Sequence, residues 1–555
     1  MSLATHSEPL SRLEVLVLDC QATAAAPRGH LLEIGWARVR ETVADSHARL
    51  IELPKGAQIP PAVTRITGIS QEAMSEAVDV QSAWRALTDF AATLALQPAP
   101  TVIHFARFET AFLHGLVAGP LFGQPLPLDI VCTHDIARRL LPDLPRCSLR
   151  ALAGYFGRAV EALRRSADHV EATAFVWRSL IGLLDERGVS TWDQLRSWLA
   201  TPAKPTSGRR RGWPMPRELR LSLPKAPGIY RMLRTDGSVL YVGKAASLHH
   251  RVNSYFRKQQ GVKERALEML SQARALSFEV TPTALEAALL EADEIKRQRP
   301  PYNIALTTQS RSLTFTSHDL AARSPHLSSQ CPLGPFPSTG MLDDFTALAA
   351  ADKHALGSGR WAPDAAIFDA GYEMFRAAHV ELSRHDLSAH QRLLRLGTRL
   401  WKEGRRDRDM DDDDADDVEQ RSTVWTPESV QMSLEWTALR GALARRRALW
   451  LTRLVDASVV WCEPGDLCAR LLVIENGEVT LTADGDAHAP PPIPPGYTRP
   501  VQARREAFTL ASFDRLRVLT TELKRLVAEE TSVALRFGPG PAFDTSKLAT
   551  ALWWV

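Results

Sequence analysis

Residues 227–256 read PGIYRMLRTDGSVLYVGKAASLHHRVNSYF, and the turn at Thr235-Asp236-Gly237-Ser238 decides what this stretch becomes. Asp-Gly between two strand-like runs is a strong short-range hairpin signal. Two antiparallel strands are therefore predicted, with Tyr230 on one and Tyr241 on the other. Gly228 and Gly243 leave the backbone beside these phenols uncrowded. Lys244 follows at once, so two phenols and an ammonium converge on one surface.

Working outward, a helix is predicted from about Ser247, with Leu248, Val252 and Tyr255 along one face. Arg251 is three residues after Leu248 and four before Tyr255, which puts its guanidinium at the border of the packed face. A planar guanidinium fork held there suits a phosphate. Farther on, TPTALEAALLEADEIKRQRPPYNI (residues 281–304) opens with Thr283 and Glu286 spaced as a capping box. Glu291 has no such explanation. It sits on the edge of the apolar stripe, where a carboxylate is costly to desolvate unless a metal ion or an arginine meets it. Pro300 and Pro301 end the helix, and Asn303 follows where its amide can reach back to the site.

Pro227–Ile304 resembles a GIY-YIG nuclease domain of the kind that opens UvrC, the bacterial nucleotide-excision-repair endonuclease, and its shorter relative Cho. The matching text is PGIY, YVGKA, RVNSYF and EAALLEADEIKRQRPPYN, in order and at compatible spacing. The resemblance implies active-site roles for Tyr230, Tyr241, Lys244, Arg251, Tyr255 and Asn303, and a metal-binding role for Glu291. It implies hydrolysis of a DNA phosphodiester with Mg²⁺ or Mn²⁺ held by the single Glu291 carboxylate and water. Tyr230 would be the general base, its phenol brought below the usual value of about 10 by neighbouring positive charge. Arg251 would stabilise charge on the phosphate, and Lys244 and Tyr241 would position water or phosphate. One residue departs from the pattern: Asp293 stands where UvrC proteins often carry Asn.

Residues 12–180 alternate strand-like runs with amphipathic helical stretches, as in an α/β layer domain. Here the text resembles DnaQ-like (DEDDh) 3′–5′ exonucleases, which implies an RNase H-like fold. VLVLDCQAT (15–23) stands for the strand ending Asp-x-Glu-Thr, LLEIGWARV (31–39) for the second strand and TRITGIS (64–70) for a Thr-Gly-Ile loop. VIHFARFETAFL (102–113) matches a helix start, and RRSADHVEATAFVW (164–177) the last helix. The scaffold text agrees; the catalytic text does not. Asp19 is kept, but Gln21 replaces the paired glutamate, Glu109 an aspartate, Arg164 the general-base histidine and His169 the last aspartate. Two-metal chemistry needs clustered carboxylates and a base, and an arginine can neither bind cations nor accept a proton. The expectation is a retained fold without exonuclease activity, with Glu33 or Asp168 as the residues that could rebuild a site.

The 555 residues suggest about three to four units. Net charge is +3, yet residues 201–300 hold 19 Lys/Arg against 9 Asp/Glu, the footprint of a polyanion partner. DNA is the expected partner; the UvrC resemblance also raises UvrB or other repair proteins, although no segment reads as a UvrB-binding one. The six cysteines are scattered and read as reduced thiols. No apolar run is long enough for a membrane span and no signal segment is evident, so a cytoplasmic location is expected.

The expected architecture is multidomain α/β. An exonuclease-fold domain spans 1–200, a basic Pro-rich linker 201–221 and a small α/β GIY-YIG domain 222–306. A region of unassigned role covers 307–404, an acidic linker 405–421 and an α+β C-terminal region 422–555, with a hairpin at Asn476-Gly477. The function expected is a DNA-nicking endonuclease of nucleotide-excision-type repair. Two alternatives are a non-catalytic binder of DNA structure or damage, and a nuclease of restriction or mobile-element type.

Overall fold

Val15 to Cys20 alternate between two cores, which is why this run becomes a central strand. Val15 and Val17 enter one apolar cluster with Trp177 and Trp192, while Leu16 and Leu18 enter another with Trp36 and Trp84. A strand buried on both faces needs apolar residues at successive positions, as Val15 to Leu18 supply before the charged Asp19. The computed structural model describes residues 8–118, 123, 126–160, 163–202, 212–257, 262–303, 313–351, 365–404, 425–463, 469–485, 489–494 and 509–552. The acidic stretch 405–421 and much of the basic linker lie outside the described residues.

The chain divides into two compact units, Met1–Pro282 with Gln298–Asn303, and Thr283–Arg297 with Ile304–Val555. The first unit contains a five-stranded sheet of order β3-β2-β1-β4-β5, formed by β1 (Val15–Ala22), β2 (Leu31–Val39), β3 (Val43–Leu50), β4 (Ala99–Ile103) and β5 (Leu128–Cys132). β1, β2 and β3 are antiparallel neighbours, whereas β4 and β5 run parallel to β1. Helix Ser166–Asp185 crosses β2 so closely that a Cβ on Gly35 would come within 2.6 Å of the Ser166 Cβ.

The same unit holds a three-stranded antiparallel sheet, β7-β6-β8, made of β6 (Gly228–Leu233), β7 (Val239–Ala245) and β8 (Ala275–Val280). The Asp-Gly turn forms as predicted: Gly237 has φ 82°, and the Asp236 carboxylate accepts the Ser238 N–H at 2.9 Å. Helices Leu248–Arg257 and Glu264–Gln272 pack on the sheet through Leu248, Val252, Phe256, Met269 and Leu270. A polar seam joins this sheet to the larger one. Ser148 donates to Glu268 at 2.7 Å, Tyr302 donates to the other Glu268 oxygen at 2.8 Å, and the Arg274 guanidinium lies 4.1 Å from the Tyr155 ring centre. At Gly154 the backbone meets the Gln272 side chain, and a Cβ there would lie 1.9 Å from its Oε1.

In the second unit, helix Pro427–Leu454 serves two cores. Val430, Leu434 and Ala438 pack with Leu333, Phe345 and Phe375, while Trp450, Leu451 and Leu454 pack with Trp461 and Phe513. A small sheet of order β10-β9-β11 is formed by β9 (Thr314–Thr316), β10 (Arg323–Ser324) and β11 (Leu333–Phe336). The second core lies on an antiparallel sheet that includes β12 (Ala457–Cys462), β13 (Ala469–Glu475), β14 (Glu478–Gly485) and β15 (Ser532–Phe537). The β13–β14 hairpin turns at Asn476 and Gly477, both with positive φ, as the Asn-Gly pair requires. No helix among the described residues is long and apolar enough to cross a membrane.

Candidate active site

Three phenols form the centre of the small sheet. Tyr230 is fully buried on β6, and its hydroxyl lies 3.0 Å from that of Tyr255 on the following helix. Ring centres of Tyr230, Tyr241 and Tyr255 are 6.1 to 6.5 Å apart in tilted and edge-to-face arrangements. Gly243 pairs across the ladder with Tyr230. A Cβ on Gly243 would fall 2.5 Å from the Tyr230 hydroxyl oxygen and 2.7 Å from the Tyr241 ring, so the phenol cluster occupies the space a side chain would need.

The Arg251 guanidinium carbon lies 5.3 Å from the Tyr255 ring centre. The residue is exposed as a whole, while its guanidinium lies beside the phenols. Tyr230 departs from expectation. Burial, reinforced by Tyr255 and Tyr241, raises its phenol well above the usual value, and Arg251 opposes this only in part. Neighbouring positive charge therefore does not lower it, and Tyr230 is a neutral phenol in the folded chain.

Lys244 is half-buried on β7, opposite Ile229. Asn303, expected to offer a polar group at the site, binds the backbone of β7 instead. Its Oδ1 accepts the Val242 N–H at 3.0 Å and its Nδ2 donates to the Val242 carbonyl at 2.9 Å. The amide thus continues the ladder along β7 between Tyr241 and Gly243, which makes Asn303 a positioning residue for that strand. Glu291 is half-buried on helix Ala284–Gln298, in the stretch that belongs to the second unit. Its carboxylate is a hard oxygen donor, which suits a hard divalent cation.

Of the expected exonuclease positions, Asp19, Gln21, Glu109 and His169 come together on the larger sheet, and Asp19 is already paired. Asp19 Oδ1 lies 3.2 Å from His169 Nδ1, and Asp19 Oδ2 accepts from Gln21 at 2.9 Å. Burial would lower the His169 pKa, but the hydrogen bond and charge of Asp19 outweigh it and raise it above the usual imidazole value. Glu33, opposite Gln21 on β2, is buried and accepts from Arg165 Nε at 3.0 Å and from the Ser166 N–H at 2.8 Å.

Arg164, aligned with the general-base position, is exposed and offers only its backbone N–H to Asp168. The guanidinium that enters the site is that of Arg165, which the sequence reading missed because the helix start shifts the register by one residue. Asp168 accepts the N–H groups of both arginines and caps helix Ser166–Asp185, so it is not spare for a metal. Glu109 is 4% exposed, its Oε2 has no hydrogen-bond partner among the described residues, and burial with the nearby Asp19 pushes its pKa up to about 9. Glu33 and Asp168, the residues that could rebuild a site, are thus both engaged, Glu33 by Arg165 and Ser166 and Asp168 by the helix start.

Comparison with known proteins agrees with both halves of this description. Residues 226–304 match the family model described as a UvrC-like GIY-YIG domain, and residues 16–170 match one described as an exonuclease. A Mycobacterium tuberculosis protein named as a bifunctional exonuclease/endonuclease is 32% identical over 298 residues, covering 52% of this chain and 44% of that protein. UvrABC system protein C of Legionella pneumophila is 58% identical over 85 residues, 15% of this chain and 13% of its own. The chain thus spans less than half the length of each of these relatives. The solved GIY-YIG N-terminal endonuclease domain of UvrC from Thermotoga maritima, bound to magnesium, is 35% identical and covers 16% of this chain and 94% of its own, with a TM-score of 0.15. The chain accordingly carries a UvrC-like GIY-YIG nuclease domain behind an exonuclease-fold domain.

Proposed function

We propose that this protein is a metal-dependent endonuclease that nicks duplex DNA in nucleotide-excision-type repair, and that its exonuclease fold is a non-catalytic platform. The observation that carries the reading is the convergence of Tyr230, Tyr241 and Tyr255 with the Arg251 guanidinium on one small sheet. Glu291 would hold Mg²⁺ or Mn²⁺, which supplies polarisation of the scissile phosphate when bound. Arg251 engages phosphate oxygens through its planar fork and stabilises the charge that develops there. Tyr230, hydrogen-bonded to Tyr255, orients the attacking water, and in its phenolate form takes that water's proton to become the neutral phenol. Lys244 and Tyr241 place the phosphate, and Asn303 fixes the strand that bears them.

The exonuclease half supports the platform reading through its internal ion pairs: Asp19 with His169, and Glu33 with Arg165. These pairs supply the positive charge that cations would otherwise provide. The test is nicking of supercoiled plasmid, intact and ultraviolet-damaged, with Mg²⁺ or Mn²⁺. The full chain should nick the damaged plasmid faster. Glu291→Gln should abolish nicking while leaving DNA affinity within about twofold, since it preserves shape and adds no negative charge. Wild-type nicking by that variant would overturn the assignment.

A further inference from the structure

Helix Ala284–Gln298 is built into the C-terminal half of the chain. Leu285 and Leu289 belong to the same apolar cluster as Leu451, Leu454, Trp461, Phe513 and Leu516. Ion pairs flank them. Arg470 on β13 donates to Glu286 through Nε at 2.9 Å. Arg515 forks onto Asp293 at 2.9 and 3.2 Å, and its other nitrogen reaches Glu478 on β14 at 2.6 Å. Lys296 meets the buried Asp514 at 3.1 Å and donates to the Ala511 carbonyl at 3.2 Å. Asp514, Arg515 and Ala511 all lie in the first turns of helix Leu510–Ala528, which is pinned by the Thr509 side chain accepting the Ser512 N–H at 3.1 Å.

The spacing of these contacts decides what they can do. Residues 285, 286, 289, 293 and 296 make one stripe at helical period. At about 100° per residue, Glu291 lies about 160° around the helix from both Leu289 and Asp293. The C-terminal half therefore grips the helix from the side opposite Glu291. The chain just before and just after the helix is tied to the small sheet. Thr281 donates to the Pro227 carbonyl at 3.0 Å, and Tyr302 donates to the Leu240 carbonyl at 3.1 Å.

We propose that β13, β14 and helix Leu510–Ala528 act as a clamp that sets the pose of the Glu291 helix for cation binding, with Arg515 as the principal positioning residue. The inference rests on the assignment of Glu291 as the metal ligand. It gives the C-terminal half a role in the nuclease reaction without requiring it to touch DNA. Arg515 forks Asp293 to Glu478, so losing it frees one edge of the helix and leaves the apolar pair Leu285 and Leu289 in place.

The experiment uses the full chain and titrates Mn²⁺, following free aqueous Mn²⁺ by electron paramagnetic resonance and plasmid nicking in parallel. Arg515→Met should raise the Mn²⁺ dissociation constant about tenfold, as loss of a supporting shell does, with the rate at saturating Mn²⁺ retained. Asp293→Arg should do the same, and the swapped pair Asp293→Arg with Arg515→Asp should restore much of the affinity. A contact that only holds the fold together would lower the melting temperature without moving Mn²⁺ affinity, and that result overturns the proposal. Glu291→Gln separates the two readings. If it binds Mn²⁺ and nicks as the wild type does, the metal assignment itself falls; if it is inactive and Arg515→Met binds Mn²⁺ normally, only the clamp falls.

Discussion

Glu109 offers a direct measurement of whether the exonuclease-fold site is dismantled. Its carboxyl is buried, faces the Asp19 charge and has a pKa of about 9 against an ordinary 4.5. An acid whose pKa is raised on folding binds its proton more tightly in the native state, so stability falls as pH rises from 4.5 towards 9. Each pH unit in that window costs about 1.4 kcal/mol, which accumulates to about 3 kcal/mol at pH 7. Glu109→Gln removes the titration while keeping the shape, and it leaves a neutral group in the pocket as the protonated carboxyl does.

The variant should therefore match the wild type near pH 4.5 and become progressively more stable above it. Amide hydrogen exchange over β1 and β4, followed by mass spectrometry between pH 5 and 8 with intrinsic exchange rates corrected, reads this locally in a multidomain chain. Plasmid nicking should be unchanged. A stability difference that is flat with pH, or a variant less stable than wild type at pH 7, would mean that Glu109 is ionised. It would then be available to cations, and the platform reading would be wrong.

Other outcomes follow from the phenol cluster. Gly243→Ala should cost about 1–3 kcal/mol of stability through overpacking and slow single-turnover nicking about 100-fold, since Tyr230 and Tyr241 must each shift by about 1 Å. Gly237→Ala, a control with φ 82° and nothing within 4 Å of its added Cβ, should lose stability in thermal melts but keep its nicking rate. Arg251→Ala should weaken DNA binding and reduce the salt slope by about one, measured by fluorescence anisotropy between 50 and 200 mM salt; an unchanged slope would remove its phosphate role. Because the Tyr230 pKa is raised, nicking should keep climbing with pH from 6.5 to 9 if Tyr230 is the base. A plateau near neutrality would assign that role elsewhere.

Local chemistry explains which of these features could be read from sequence. The Asp-Gly hairpin and its tyrosines are legible because the turn fixes the register within a few residues, and the Thr283 capping box appears because its partners are three residues apart. Arg165 was not legible. A one-residue shift at the start of helix Ser166–Asp185 decides whether Arg164 or Arg165 reaches Glu33, and long-range contacts such as Gly35 against Ser166 and Ser166 N–H on Glu33 accompany the observed register. The neutral state of Tyr230 was hidden for a similar reason, since burial depends on every element packed around β6.

Asp293 is the residue where both kinds of information meet. In the sequence it is a bare departure from the GIY-YIG pattern. In the fold it receives a guanidinium from Arg515, 222 residues downstream. Pairwise charge of that kind has no local periodicity, so nothing around either residue announces it. The helix bearing Glu291 is consequently held by residues far downstream, and a nuclease domain cut at residue 306 would lose the partners of Glu286, Asp293 and Lys296 together. Removing one partner of a buried pair costs about 3–5 kcal/mol and exposed pairs cost far less, so the buried Asp514 and the largely buried Glu286 outweigh Asp293 in stability. Asp293 and Arg515 matter for geometry, because a forked guanidinium fixes orientation where a single ammonium contact does not.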